Sequence, residues 1–496
     1  MATSHPCTRK LGKSSALPAG IAALLGLASP SAMAIPPSTV YVDTCFEGYS
    51  TSNSTHGSLR WAVANVADGG TVDATGLGCS TISLQTGAID IANNDLRILG
   101  PGMDALNIRA KYNNALSHTR VFNHTGTGSL KLYDLEVSKG YFKNPSSAAK
   151  GGCIISSGNV YLYNVYATAC QVLTDSSSAS GGAIYATGRV KLKYSTLSDN
   201  TADGGASGTS RGGAVFARDG IGATSATVKY NSATGDTDTH KGFGGGLNFG
   251  GSGVLLTSTV SGNTATQFGG GIDSFDYPPA SSFALLQSTV SGNYAQQLVG
   301  GVYSNATSVT LLNSTVAFNS ATTVSGLLYD FSPGFAATSL FSAQYITLQS
   351  SLLSNNTYGG SFENDVSIIN TGSYVTTFNP GPANNLVRAS PINNCFVVAK
   401  TQSPTIIATC LPYDTLRNVC PLLGTLRDNG GLTSTHALSS GSPAIDSGAN
   451  PFSFSTDQRG TGYPRVSNLV ADIGAYEVQQ DDIVFNANFE GCPPLF

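Results

Sequence analysis

A phrase that occurs twice between residues 255 and 302 restricts the fold of this chain more than any other feature of its sequence. Each copy contains two leucines, one variable residue, the run Ser-Thr-Val-Ser-Gly-Asn and, further on, a group of glycines. The second copy follows the first after 30 residues, counted from Ser258 to Ser288. A recurrence of this kind is typical of a supersecondary unit that is repeated along a solenoid, so we predict a repeat architecture.

Weaker copies of the phrase extend the repeat in both directions. The double-glycine element occurs six times, and its first residues are separated by 30, 31, 33, 25 and 30 positions. These first residues are Gly151, Gly181, Gly212, Gly245, Gly270 and Gly300. Two or three strands of about five residues, with turns between them, fill a unit of this length. We therefore assign residues 151–360 to the repeated β-helix.

The pattern inside one unit is that of extended chain. Leu256, Ser258 and Val260 share one parity, which predicts that they face the core while Thr259 faces outward. Stacked units would pair each strand in parallel with its copy one turn away, at about 4.8 Å. The sequence therefore predicts an all-β fold, a right-handed parallel β-helix (solenoid) with an N-terminal cap and a β-rich C-terminal module.

Asparagines and glycines mark the expected bends of each turn. Asparagine tolerates the left-handed conformation, and stacked copies can hydrogen-bond to one another along the axis. The asparagines that close the phrase are Asn200, Asn263, Asn293, Asn319 and Asn355. The glycine pairs fit corners where a Cβ atom would obstruct the chain or where φ must be positive. A phosphate loop needs another spacing and a following helix, so we interpret both features as structural.

Two motifs resemble those of bacterial surface proteins. The Gly-Gly-Ala-Ile/Val and hydrophobic-x-x-Asn phrases resemble repeats of polymorphic outer-membrane proteins, which carry right-handed parallel β-helix passengers, although Val or Leu stands here where that family favours Phe. The segment 57–63 resembles the Cys-Ser-Leu-Arg-Glu-Ala-Ile segment of secreted β-helix proteins, with Gly57 for Cys and Trp61 for Glu. We predict a short helical turn that closes the core with Leu59, Trp61 and Val63, and an N-terminal cap with the first turns over 35–150.

The chain begins with the features of an export signal. Three basic residues precede an apolar stretch over 16–28, and small residues at 32–34 offer a cleavage point, so we assign residues 1–34 to a signal peptide. Cys7 precedes the apolar stretch, which does not suit a lipid-modified cysteine. No later segment approaches the roughly 20 apolar residues of a membrane span. These features predict a secreted protein, extracellular or on the outer cell surface.

Eight of the nine cysteines remain after removal of this signal, and an even number in an exported chain predicts disulfide bonds. The nearest pairs are Cys45 with Cys79 and Cys153 with Cys170. The cysteines that the sequence leaves unassigned are Cys395, Cys410, Cys420 and Cys492. Metal-ligand spacing is absent from the sequence, and we predict neither a metal nor a cofactor.

The charge of the chain argues against two classes of partner. Charged residues make up 11% of the sequence, against a typical value of about 25%. Loss of residues 1–34, which hold three basic and no acidic residues, would change the formal net charge from −4 to −7. A mildly acidic chain without a basic cluster in its sequence suits neither nucleic acid nor an anionic membrane surface.

The repeat gives way to a different pattern in the C-terminal third. We assign residues 361–425 to irregular structure or last turns, 426–478 to a closing module and 479–496 to a tail. The module resembles the "choice-of-anchor" modules of surface proteins in the order and spacing of its Asp-Asn-Gly-Gly, Gly-Ser-Pro-Ala-Ile-Asp and Asp-Ile-Gly-Ala-Tyr-Glu phrases. Its charged residues, which we interpret as a hydrogen-bonded cap over an open sheet end and not as catalytic, are His436, Asp446, Asp457, Arg459, Arg465, Asp472 and Glu477.

One column of outward residues is a candidate ligand-binding face. The residues that follow the inward apolar position after each glycine pair are Tyr185, Phe216, Asn248, Asp273 and Tyr303. Aromatic rings can stack on sugars while carboxamides and carboxylates bind hydroxyls, which suits an elongated glycan. The alternative is that loops fold over the column and use its aromatics as a small second core.

Two functional classes remain from the sequence. The first is a secreted or surface-displayed adhesin-like or structural protein that binds an extracellular glycan or a cell-surface partner. The alternative is an extracellular polysaccharide lyase or glycoside hydrolase, because parallel β-helices host such enzymes. That chemistry needs two carboxylates about 5–10 Å apart, or acids with Ca²⁺ and a basic residue. Acids are sparse in the repeats, so we assign no catalytic residue.

Overall fold

The chain winds into a parallel β-helix of about ten turns, which confirms the predicted all-β solenoid. This computed structural model describes residues 38–48, 55–111, 119–236, 241–275, 281–322, 332–338, 343–360 and, with short gaps, 362–480, together with 482 and 492. The predicted signal peptide lies outside the described residues. Successive turns place strands in the same stacked sheets, and most strands pair in parallel with the strand one repeat away.

Sheet A contains 21 strands and receives two consecutive strands from most turns. The first strands of each turn are Thr39–Tyr41, Thr71–Asp73, Leu96–Leu99, Ser129–Ser138, Asn159–Thr168, Arg189–Lys193, Gly220–Thr224, Ser252–Leu256, Ser282–Leu286, Ser308–Leu312, Gln344–Gln349 and Thr376–Phe378. The second strands are Thr81–Leu84, Asn107–Ala110, the ends of Ser129–Ser138 and Asn159–Thr168, then Thr196–Ser198, Thr227–Lys229, Thr259–Ser261, Thr289–Ser291, Thr315–Ala317, Leu352–Ser354 and Leu386–Val387.

The other sheets complete each turn. Sheet B contains Ile89–Ile91, Phe122–His124, Ile154–Ser156, Ile184–Ala186, Val215–Ala217, Leu247–Phe249, Ile272–Ser274, Val302–Ser304, Phe335–Thr338 and Val366–Ile369. Sheet C contains Tyr141–Lys143, Gln171–Leu173, Thr201–Asp203, Ser232–Thr234, Thr264–Ala265, Tyr294–Ala295, Ser320–Ala321, Thr357–Tyr358 and the antiparallel Phe362–Glu363. Sheet D contains Ala149–Lys150, Ser178–Ser180, Thr209–Arg211 and Gly242–Phe243, and a separate antiparallel pair contains Cys395–Val398 and Ile407–Cys410.

A left-handed residue between the two strands of sheet A corrects the predicted parity. Ser258 and Val260 face the core as predicted, but the buried leucine of the preceding strand is Leu255, and Leu256 is partly exposed. The reason is the positive φ of 48° at Thr257, which turns the chain and shifts the alternation by one residue. The strict period of two therefore holds only within each short strand.

Asparagine side chains form a continuous buried ladder at the next corner. Each Nδ2 donates to the Oδ1 of the asparagine one turn further on, over 2.8–2.9 Å. The members are Asn200, Asn231, Asn263, Asn293, Asn319 and Asn356. The prediction missed Asn231 and chose Asn355 where Asn356 belongs. Of the predicted asparagines only Asn355 is left-handed, because the left-handed residue is the one before the ladder asparagine, as also at Gly262 and Phe318.

The glycine pairs lie at a further corner of each turn, just before the sheet B strand. Both reasons that the sequence suggested, a positive φ and a lack of space for a Cβ atom, apply there. The first glycine adopts a positive φ in the first three pairs, as at Gly181 with 69°, and in the next two turns the positive φ belongs to the glycine just before the pair, Gly244 and Gly269. A Cβ atom on Gly182 would lie 1.9 Å from the carbonyl oxygen of Gly213 in the next turn. No side chain fits in that space, so successive turns can stack here only through glycine.

A seven-residue helix, Leu59–Asn65, covers the start of the core. Leu59 and Val63 are buried as predicted, but Trp61 is only partly buried and stacks on His56. The prediction used alternating positions, whereas a helical face repeats every three or four residues and here includes Ala62. Arg60 is buried instead, with its guanidinium donating to the carbonyl oxygens of residues 87 and 88 and lying 3.4 Å from the Glu47 carboxylate.

The closing module over residues 426–478, which we call the C-terminal segment, lies on the side of the solenoid. It does not cap an open sheet end, which corrects the predicted role of its charged residues. It contains turns and isolated antiparallel bridges in place of regular strands. Gln458 donates to the Thr259 hydroxyl and accepts from Thr289, and Thr259 also donates to the Ser434 carbonyl oxygen. Thr259 is therefore buried, although the sequence placed it on an exposed face.

Among the side chains that the structure describes, three cysteine pairs lie at disulfide-bonding distance: Cys45 with Cys79, Cys153 with Cys170, and Cys420 with Cys492. The first two are the pairs that the sequence suggested. Cys395 and Cys410 lie opposite one another in the register of the short antiparallel pair. The described part of the chain contains no helix with the length and apolar character of a membrane crossing.

Candidate functional site

The predicted outward column exists as a column. Tyr185, Phe216, Asn248, Asp273 and Tyr303 are register partners in five successive strands of sheet B. Each inward neighbour is fully buried, as the alternation requires. The sequence therefore predicted which side chains are stacked, because a glycine pair precedes each of these five strands.

Other parts of the chain cover most of this column. Tyr303 is 7% exposed and stacks on Phe268 with ring centroids 4.3 Å apart, within a small cluster that includes Leu298 and Val299. Tyr185 is 9% exposed and stacks on Phe216 at 5.1 Å. The rings are thus occupied by one another, which is the arrangement of a second core more than of an open ligand site.

The polar members of the column are buried more deeply than the aromatics. Asn248 donates to the Asp273 carboxylate, and the two side chains are 0% and 3% exposed. Burial raises the pKa of Asp273 to about 7, and the positive charge of Arg211 opposes this shift. A carboxylate in this position cannot reach a ligand that stays on the protein surface.

A different outward face, on sheet A, is exposed and rich in tyrosine and lysine. It covers four successive turns of the first strands and the adjoining corner. We call it the tyrosine–lysine strip, and its members are Arg97, Lys131, Tyr133, Tyr161, Tyr163, Lys191, Lys193 and Tyr194. The register places Arg97, Lys131, Tyr161 and Lys191 in one column. Four turns span about 14 Å along the axis.

The tyrosine rings of the strip lie side by side on its surface. The ring centroids of Tyr133 and Tyr163 are 5.7 Å apart, and those of Tyr163 and Tyr194 are 5.4 Å apart. Tyr163 and Tyr194 are 38% and 37% exposed. These rings alternate with buried leucines and valines of the same strands, so the core holds the backbone that presents them.

Cationic groups lie around these rings. The Lys191 Nζ atom is 5.0 Å from the centroid of Tyr161, and the Lys193 Nζ atom is 5.4 Å from Tyr163 and 5.0 Å from Tyr194. In the described part of the chain, no carboxylate oxygen lies within 4.0 Å of the charged nitrogens of the strip. The rings hold the cations at the surface without neutralising them.

The sequence carried a signal for this strip that the prediction did not use. Lys131, Tyr161 and Lys191 recur at intervals of 30 residues, which is the repeat length itself. Along the chain these residues are far apart, so they form no basic cluster in the sequence. Stacking of the turns collects them on one face, so an alignment of the repeats by register would have revealed the patch.

The acids Asp457, Asp472 and Glu477 of the C-terminal segment bind backbone groups or a neighbouring arginine. Asp472 accepts hydrogen bonds from the backbone N–H groups of Asp446 and Val478, and Glu477 accepts from those of Ser467 and Asp472. In the same segment, Asp457 forms a buried ion pair with Arg459. Burial raises the pKa of Glu477 to about 7. Acids whose oxygens bind the backbone hold turns in place, and this supports the structural interpretation.

His436 joins the C-terminal segment to the solenoid as a neutral side chain. Its Nδ1 atom lies 2.7 Å from the Gly424 carbonyl oxygen, and its Nε2 atom lies 2.7 Å from the Ser291 hydroxyl. A carbonyl oxygen only accepts, so Nδ1 carries the proton and the Ser291 hydroxyl donates to Nε2. Burial lowers the pKa of His436 to about 4, because a charged ring here would lose its water.

We expect this histidine to make the fold less stable as the pH falls from about 6.5 to about 4. In that window the unfolded chain binds a proton that native His436 does not, and the loss approaches about 3 kcal/mol. His436→Gln keeps a donor and an acceptor but removes the titration. Urea unfolding of both proteins at several pH values should show a smaller pH dependence for the variant, and equal slopes would contradict the assignment.

The comparison with the variant is needed because other buried groups change the pH dependence of the free energy of unfolding in the opposite direction. Asp273 and Asp365 both have a pKa raised by burial to about 7, so each favours the folded state more strongly as the pH falls through that value. These groups are the same in both proteins. The difference between the two pH profiles therefore isolates His436.

Comparisons of the chain with protein-family models, with curated proteins and with solved structures found no match. The resemblances of the repeats and of the C-terminal segment thus remain predictions from the motifs that carry them.

Proposed function

We propose that this chain is an exported, adhesin-like β-helix protein that binds extended glycans without catalysis through the tyrosine–lysine strip. The observation that carries the proposal is the row of tyrosine rings on successive turns, half-buried at Tyr133 and exposed at Tyr163 and Tyr194, with ring centroids 5.4–5.7 Å apart. Aromatic faces bind the apolar faces of sugars, and a row of them suits a chain of sugars better than a single one. The repeat can present such a row because the residue at one outward position of each turn can change while the backbone of the turn stays the same.

Two further features support an extracytoplasmic location. The first is the predicted signal peptide over 1–34. The second is the three cysteine pairs at bonding distance, since disulfides persist in oxidising compartments. The column that includes Tyr185 and Tyr303 is a weaker candidate for the same role, because its rings are covered.

Removal of two rings from the strip should abolish most glycan binding. We expect Tyr133→Ala/Tyr163→Ala to weaken binding about tenfold or more, because each stacked ring contributes on the order of 1 kcal/mol. Binding of the mature chain and its variants to a glycan array measures the effect, and thermal unfolding checks that the fold is intact.

Tyr345→Ala is the matched control. Tyr345 is 54% exposed on the same sheet, several turns beyond the strip. The Tyr345→Ala variant should bind glycans as tightly as the parent chain. Equal loss in both variants, or no glycan binding by the parent chain, would contradict the proposed function. A reducing-sugar assay on the bound glycan addresses the alternative, since release of sugar would support the polysaccharide lyase or glycoside hydrolase.

A further inference from the structure

The charges of the strip contrast with those of the whole chain. The sequence has a formal net charge of −4, yet the strip presents four basic side chains within four turns. Arg97 and Lys131 are on adjacent turns of one column, and Lys191 lies two turns beyond Lys131. Protein cations are ordinarily balanced by nearby acids, so an unbalanced row in an acidic protein indicates an anionic ligand.

The acids nearest in sequence do not neutralise this row. Asp134 lies at the corner beside the strip and accepts a hydrogen bond from the Asn164 side chain. Glu136 belongs to the second strand of the turn, where its register partners are Asn107 and Tyr166. Neither acid lies within 4.0 Å of a strip cation. The four basic side chains of the strip are therefore not ion-paired with these acids.

We propose that the tyrosine–lysine strip binds a linear acidic polysaccharide, lying along the solenoid axis with its sugar rings on the tyrosines and its anionic groups against the row of lysines and arginine. This inference rests on the proposed function and names its ligand class. The spacing of the turns, about 4.8 Å, is close to the length of one sugar unit in an extended chain, so successive anionic groups can meet successive turns. Tyrosine supplies the stacking and lysine the charge, and neither alone would select this class.

Single-stranded nucleic acid is the main competitor, because it also binds aromatic rings within a basic face. Two observations favour the polysaccharide. The cysteine pairs fit a compartment outside the reducing cytosol, where extracellular polysaccharides occur. The strip is one short basic face and not a groove that follows a nucleic acid backbone.

The test uses two pairs of polymers that differ only in charge. Polygalacturonate is compared with its full methyl ester, and dextran sulfate is compared with dextran, in binding assays with the mature chain. We expect binding to both charged polymers to be about tenfold or more tighter than to their neutral counterparts, and to weaken as NaCl rises to about 0.5 M because salt screens exposed charges. A preference for polygalacturonate over dextran sulfate would identify carboxylate as the recognised group, and the reverse order would identify sulfate.

Lysine variants assign the effect to the strip. Lys131→Gln/Lys191→Gln/Lys193→Gln should lose the preference for the charged polymers, while Lys139→Gln/Lys229→Gln/Lys241→Gln, with the same loss of charge elsewhere, should keep it. Equal binding of the charged and neutral polymers, equal effects of the two triple variants, or tighter binding of a single-stranded oligonucleotide would overturn the inference. Binding of neutral glycans that depends on Tyr133 and Tyr163 but not on the lysines would overturn the inference and leave the proposed function standing.

Discussion

Val260→Asp is expected to lower the free energy of unfolding by about 4 kcal/mol or more. Val260 is buried in the core and stacks between Val228 and Val290 of the neighbouring turns. The new carboxylate would meet only apolar side chains there, and an unpaired buried charge is among the most costly changes in a protein. Urea unfolding followed by circular dichroism measures the loss.

Thr227→Asp is the matched control. Thr227 precedes a core valine in the same way and pairs with Thr259 in the next turn, but it is partly exposed, because the C-terminal segment reaches only the later turns. Its effect should stay within about 1 kcal/mol. Similar losses in the two variants would mean that the assignment of inward and outward faces is wrong.

Asn263→Ala is expected to cost about 3–4 kcal/mol, the second large effect. The Asn263 carboxamide accepts from the backbone and side-chain nitrogens of Asn231, and it donates to Asn293 and to the Val228 carbonyl oxygen. Alanine would leave these groups unpaired in a buried corner where water cannot replace the lost partner. The change in the free energy of unfolding, measured in urea, gives the cost.

Asn65→Ala provides the comparison for the ladder. Asn65 is exposed at the end of the short helix, and its side chain donates to the Trp61 carbonyl oxygen. Its replacement should change stability by about 0.5 kcal/mol or less. A ladder variant as mild as this one would show that the asparagine stack is incidental to the fold.

The architecture could be predicted because a repeat fixes its own register. The spacing of the glycine pairs alone placed Tyr185 opposite Phe216 and Asp273 opposite Tyr303, and the structure has both pairs. The failures concern single residues. The backbone angle of Thr257 shifts the alternation of inward and outward side chains, and a threonine side chain does not predict a positive φ.

Two other outcomes depend on contacts between residues far apart in the chain. The burial of Thr259 comes from Gln458, 199 residues later, and no local pattern contains that information. Asn231 was missed because it follows Lys-Tyr, where the other copies have Ser-Gly or a similar pair. The tyrosine–lysine strip is predictable from the sequence, since the spacing of its residues equals the repeat, but its charges form a cluster only after the repeats are aligned.

The position of the C-terminal segment has a consequence for how the molecule unfolds. In a stack of repeats each turn contacts only its neighbours, so a free end can fray one turn at a time. Here one segment is hydrogen-bonded to turns from Thr259 to Asn384, through Gln458 near one end and Ser447 near the other. Loss of the last turn would therefore strain contacts four turns away. The half of the solenoid that is hydrogen-bonded to the C-terminal segment should unfold as a single cooperative unit. The half that carries the tyrosine–lysine strip can unfold turn by turn.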